Sequence, residues 1–188
     1  MSGEERAKKF FHSSLNVDDR LPLLFLPGIP ATAANPSFSH RRRPLIAFPR
    51  ASTLPESEIP WVGLYQSLDL RMGRILDSLD RLSKGEPLRL PRVVPVRISE
   101  GALTFFSPEA FETGVKGGLI LELPTLPLCE IDCDLSIVHC DSWDIDMESS
   151  PGGFAVTGLW SGLEGEMRES LLQYLVLRQR EILAFKGK

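Results

Sequence analysis

The chain has 188 residues, room for one hydrophobic core with an elaboration, since single domains typically run to about 100 to 200 residues. Twenty-one Lys and Arg against twenty-five Asp and Glu give a net charge of −4, which argues against a protein built to hold the nucleic-acid backbone, where a basic face supplies most of the affinity. No apolar run reaches the roughly 18 to 20 residues that span a bilayer, and the opening MSGEERAKKFF lacks the apolar stretch of a secretion signal, so a soluble, cytoplasmic protein is expected.

In chain order, a charged and aromatic leader, ERAKKFFHSSLN, precedes RLPLLFL, an apolar run expected to form the first strand. The stretch 27–56 carries prolines at 27, 30, 36, 44, 49 and 55. It can neither hold a helix nor donate a full ladder of hydrogen bonds, and is read as an irregular connection. Its basic cluster, Arg41, Arg42 and Arg43, is read as a solvated loop, an anion or nucleic acid being the alternative partner.

A helix is expected over 57–85. Ser57 is its N-cap, Pro60 lies in the first turn, Gly85 takes the left-handed stop and Pro87 prevents continuation. Within it Trp61, Tyr65, Leu68, Met72, Ile75, Leu79 and Leu82 follow alternating steps of four and three, the seam of a coiled coil. Tyr65, Met72 and Leu79 stand at a, the others at d. Val62 and Leu76 at e and Leu64 at g widen the stripe beyond what two strands need, which suits a bundle of more than two helices. Self-association is the expectation, packing on the chain's own domain the alternative.

Beyond Pro87 the texture is β. RVVPVRI and ALTFF flank the turn SEG, GGLILELP follows, LCEIDCDLSIVHC alternates with period two, and GFAVTGLW closes the set, as in a small antiparallel barrel or sandwich. Cys129 and Cys133, four apart on one strand, are separated by about 13 Å, too far to share a zinc, so with Cys140 they are read as reduced, small hydrophobes. Asp141, Asp144 and Asp146 lack the Gly and Glu of a calcium loop. No Gly-rich phosphate loop, HExxH or serine elbow occurs, and His12, His40 and His139 fall in unrelated segments, so neither a catalytic residue nor a metal site is assigned. The stretch 163–185 reads as an amphipathic helix with Met167, Leu171, Tyr174, Leu175 and Ile182 on its apolar side.

The order of strand, RISEGALTFFSPEAFETGVKGGLILEL, further strands and a terminal helix carrying YLVLRQREIL resembles the PilZ domain, specifically the atypical subgroup with a heptad helix inserted ahead of the second strand. The resemblance covers nearly the whole chain. It implies a single mainly β domain over 1–188: a six-stranded antiparallel barrel with a long inserted coiled-coil helix and a C-terminal helix, assembled as a homo-oligomer and in particular a tetramer. It also implies cyclic di-GMP, bound by an Arg-x-x-x-Arg pair before the first strand and an Asp/Asn-x-Ser-x-x-Gly turn. Here Lys8 and His12 stand in place of the two arginines, and neither offers the planar fork that grips phosphate and stacks on guanine. At the second motif Arg97 replaces the acceptor and Ala102 the final glycine, leaving only Ser99. The expectation is therefore a bacterial signalling adaptor that takes no cofactor and no cyclic di-GMP and acts through an unidentified protein client in motility, polysaccharide or virulence regulation. The alternative is a nucleotide receptor with an altered anion site at Lys8, His12 and Arg97.

Overall fold

The computed structural model describes residues 2–13, 15–31, 59–85, 90–125, 128–143 and 152–186. The elements run α1 (Gly3–Ser13), β1 (Asn16–Pro27), α2 (Ile59–Ser83), β2 (Arg92–Ser99), β3 (Ala102–Ser107), β4 (Lys116–Leu123), β5 (Cys129–Trp143), β6 (Gly153–Ser161) and α3 (Gly165–Lys186). All pairings are antiparallel, in the closed order β1-β2-β3-β6-β5-β4. Closure depends on β1, which pairs with β2 over Asn16–Leu23 and with β4 over Leu23–Pro27. Period-two alternation then sends Val17, Leu21, Ile98, Leu103, Leu121, Ile131, Leu135 and Val156 into one core.

Several elements differ from the sequence reading. The leader is a helix, started by a capping box in which the Glu5 amide donates to Ser2 Oγ and the Ser2 amide to Glu5 Oε2. β1 begins at Asn16, because Asp18 finds a cross-strand partner in Arg97 and Asp19 one in the last helix. The inserted helix is described from Ile59 to Ser83, with Gly85 at φ +73° donating to the Leu82 carbonyl as the left-handed stop; Ser57, Pro87, Arg41, Arg42 and Arg43 lie outside the described residues. β5 is one long strand with an irregularity between Ile137 and His139.

α3 begins at Gly165, two residues later than expected, after positive φ at Gly162 and Gly165. Its Leu171, Tyr174 and Leu175 belong to the barrel core. Full burial of each leucine contributes about 1.5 to 3 kcal/mol. The helix is pinned by Asp19, which accepts from Tyr174 Oη at 2.6 Å and from Arg178 Nε at 2.7 Å. Burial works to raise the Asp19 pKa, but the hydrogen bonds from Tyr174, the Arg20 amide and Arg178 outweigh it and hold the carboxyl below its ordinary 3.8.

A folded-state pKa below the unfolded one stabilises the fold above the ordinary carboxyl pKa and is lost as pH falls through the lower, folded value. Asp19→Asn is therefore expected to lower the urea midpoint at pH 7 and to flatten its decline between about pH 5 and pH 2. A variant that loses stability on acidification as steeply as the wild type would show that Asp19 does not carry this linkage.

Candidate functional site

Two faces carry the residues that the sequence singles out. The first is α2. Its Ser67, Leu70 and Arg74 lie on one stripe, and Gly63, Gly73 and Arg74 are buried. At 3.6 residues per turn this stripe is opposite the seam. Ser67 Oγ donates to the Gly63 carbonyl of its own helix and accepts the Leu128 amide, each at 2.8 Å. About two turns further on, Arg74, 9% exposed, reaches Glu122 of β4 and Glu130 of β5 with separate guanidinium nitrogens. Those two glutamates face each other across the β4–β5 ladder. Like charges directly opposite repel, and the planar fork of arginine between them turns the repulsion into a clamp.

The opposite face of α2 is left outside. Trp61, Tyr65, Leu68, Met72, Ile75, Leu79 and Leu82 are 47–62% exposed, and Leu64 and Leu76 beside them are exposed too. An apolar stripe on this scale is unusual on a protein surface that stays in water. The heptad positions thus share one solvent-facing stripe, while the polar side of the helix is the side that packs.

The second face lies under α1, which packs on β5, β6 and β3. Phe10 rests on Gly101, where an added Cβ would lie 2.2 Å from the ring, so a side chain there would displace the helix. Beneath it runs a polar row in ladder register: Asp18, Arg97, Thr104, Thr157 and His139. A cavity of about 590 Å³ opens over this row, lined also by Glu4, Lys8, Phe11 and Asp141.

The motif positions do not converge there. Lys8 and Arg97 line the cavity, but each already faces a carboxylate: Lys8 Nζ contacts Glu4 Oε1 at 2.5 Å, and Arg97 holds Asp18 through Nε at 2.7 Å and Nη2 at 3.2 Å. These contacts raise the pKa of both cations. His12 turns Nδ1 to the Lys8 carbonyl at 2.8 Å, on an exposed side of α1. Ser99 and Ala102 are fully buried in the β2–β3 turn, where Ser99 Oγ donates to the Ala102 carbonyl at 3.0 Å and accepts the Ala102 amide at 3.1 Å. Trp160 Nε1 donates to the Ser99 carbonyl at 3.0 Å. The Ser99 hydroxyl closes a turn instead of facing a ligand.

Carboxylates outnumber cations around the cavity. Glu4, Asp18, Asp19 and Asp141 oppose Lys8 and Arg97, and His139 sits between Asp141 and Glu4, the latter at 3.8 Å. Of the cysteines, Cys133 points into the core, and burial together with flanking Asp132 and Asp134 pushes its thiol up to about 12. Asp144 and Asp146 lie outside the described residues. Among the described residues no helix is long and apolar enough to cross a membrane.

No family model matches the chain, and no curated protein matches it. A solved structure does. It is a pathogenic protein from Xanthomonas campestris, a tetrameric PilZ domain self-assembled via an unusual helical bundle, with a TM-score of 0.51 over 97% of this chain and 98% of that chain at 19% identity. With the closed six-stranded barrel, this likeness shows the fold: the chain has a PilZ-like fold with three described helices.

The clamp gives a direct test of how α2 is held. Arg74→Ala leaves two opposed buried carboxylates without a cation, so a loss of about 3 to 5 kcal/mol is expected in urea unfolding at fixed protein concentration. In a Glu122→Gln, Glu130→Gln background the same substitution is expected to cost much less. Equal costs in both backgrounds would show that Arg74 is not held through its charge.

Proposed function

We propose that the protein is a non-enzymatic, homo-oligomeric PilZ-like signalling adaptor, gathered through α2 and acting by protein contacts without binding cyclic di-GMP. The observation that carries the reading is the orientation of α2: the clamp fixes its polar side to the barrel and leaves seven heptad residues facing solvent. Further copies of the same stripe complete it, with the barrels outside and the seams inside. The width of the stripe supports more than two strands. The tetrameric helical-bundle assembly of the Xanthomonas protein supports four.

The ligand side of the proposal rests on internal pairing. For cyclic di-GMP to use Arg97 it must break the pair with Asp18, and its phosphates must enter a cavity with more carboxylates than cations. Each term opposes an anion. The competing reading, a receptor with an altered anion site, has the cavity itself and its two cations in its favour. An unidentified protein client in bacterial motility, polysaccharide or virulence control remains the expected partner, in the cytoplasm and without nucleic acid.

Light scattering behind a sizing column is expected to give about four chain masses for the wild type. For Leu68→Asp with Ile75→Asp it should give the single-chain 20.9 kDa, with the barrel's circular dichroism retained. A wild type that runs as a monomer, or a double variant of unchanged mass, would overturn assembly through α2. Calorimetric titration with cyclic di-GMP is expected to give no saturable heat. Saturable heat that disappears in Arg97→Ala would instead establish the receptor reading.

A further inference from the structure

The outer face of the β4–β5 ladder carries three carboxylates, Glu130, Asp132 and Asp134, at alternate positions of β5. Across the ladder they stand opposite Glu122, Ile120 and Gly118 of β4 in turn. Each end of this row is held by a covering segment. At one end Glu130 and Glu122 receive Arg74 of α2. At the other, the chain leaving β1 folds back as a strap, Gly28–Ala31. The Gly28 amide donates to the Lys116 carbonyl at 2.8 Å, the Gly118 amide to the Ile29 carbonyl at 2.6 Å, and the Ala31 amide to Asp134 Oδ1 at 2.7 Å. The fit is close, since a Cβ at Gly118 would lie 2.9 Å from the Ala31 backbone.

Asp132 stands between the two anchors. Ile120 opposite it is 1% exposed although Leu119 and Leu121 on either side belong to the barrel core, so the middle of the outer face is covered too. Asp132 Oδ1 is buried and, among the described residues, meets no hydrogen-bond donor. The ionisable groups on the elements packed there are mostly of its own sign. β5 contributes Glu130 and Asp134, and β4 contributes Glu122 and, at the strap end, Lys116. From α2 come the buried Asp69 and Arg74, with Arg71 beside Arg74. The strap carries no ionisable side chain, and Arg74 is already held by the two glutamates. Burial first, and then the charge of Asp134, raise the Asp132 carboxyl from its ordinary 3.8 to about 6.

We propose that Asp132 is a proton-operated control on the strap: ionised, it repels Asp134 and weakens the hold on Ala31, and protonated, it removes that repulsion and lets the strap close on β4 and β5. The proton comes from solvent and returns to it. Opening the strap returns the carboxyl toward its ordinary value, so the raised value favours the closed form, fully below the ordinary carboxyl pKa. This contribution is lost as pH rises through about 6. The strap is where the chain leaves β1 on its way to α2, so the control falls on the connection between barrel and helix. The inference needs neither the assembly reading nor the ligand reading.

Amide exchange at Ala31 and Gly118 in the full-length protein tests it. After correction for the intrinsic rate, protection of both is expected to rise by up to about tenfold between about pH 7 and pH 5, because each pH unit below the raised value favours the protonated, closed form by at most tenfold. Asp132→Asn, neutral at every pH, is expected to keep high protection with no such rise. In the wild type, the Asp132 carboxyl carbon and the Ala31 amide shift are expected to titrate together by NMR with one midpoint at about 6. Asp134→Asn, which leaves an oxygen for the Ala31 amide, is expected to lower that midpoint. Flat protection in the wild type, a rise that persists in Asp132→Asn, a midpoint at the ordinary carboxyl value, or one unmoved by Asp134→Asn would overturn the proposal. The wild-type exchange and titration decide the matter even where a variant does not fold.

Discussion

The placement of α2 depends on one buried arrangement, the Arg74 guanidinium between Glu122 and Glu130. An amphipathic helix beside a barrel would ordinarily lay its apolar side down, because burial of apolar area is the largest favourable term available. Here that order is reversed. The barrel offers two facing carboxylates, which the helix can satisfy only by turning its arginine inward, and the seam must then face out. Buried ion pairs add little net stability compared with apolar packing, but they penalise every rotation that separates them. The clamp therefore fixes orientation, and the exposed seam is its consequence.

The same exchange of roles runs through the polar face under α1. The cations and the hydroxyl that the sequence singles out there are engaged in contacts within the chain. Arg97 is held by Asp18, Lys8 by Glu4, and the Ser99 hydroxyl closes the turn to Ala102. The Lys8 and Arg97 pairs lie at the surface, where ion pairs are individually weak, and carboxylates outnumber cations around the cavity. The helical leader adds a packing contact on the same side, since Phe10 lies on Gly101 in the β2–β3 turn.

What could be read from sequence alone follows the range of the interactions. The exposed apolar stripe of α2 was legible because its residues recur at a mean spacing of 3.5, and the strands were legible from alternation. The clamp was not, because Arg74 meets partners 48 and 56 residues away and carries no local signature. α1 did have a signal, the Ser2 to Glu5 capping box, obscured by a leader of mixed charge. The start of β1 was hidden by Asp18 and Asp19, polar residues whose partners in β2 and α3 appear only once the chain is folded. At the ligand motifs, the substitutions at Arg97 and Ala102 could be seen in the sequence, whereas the reassignment of Ser99 to a turn could not.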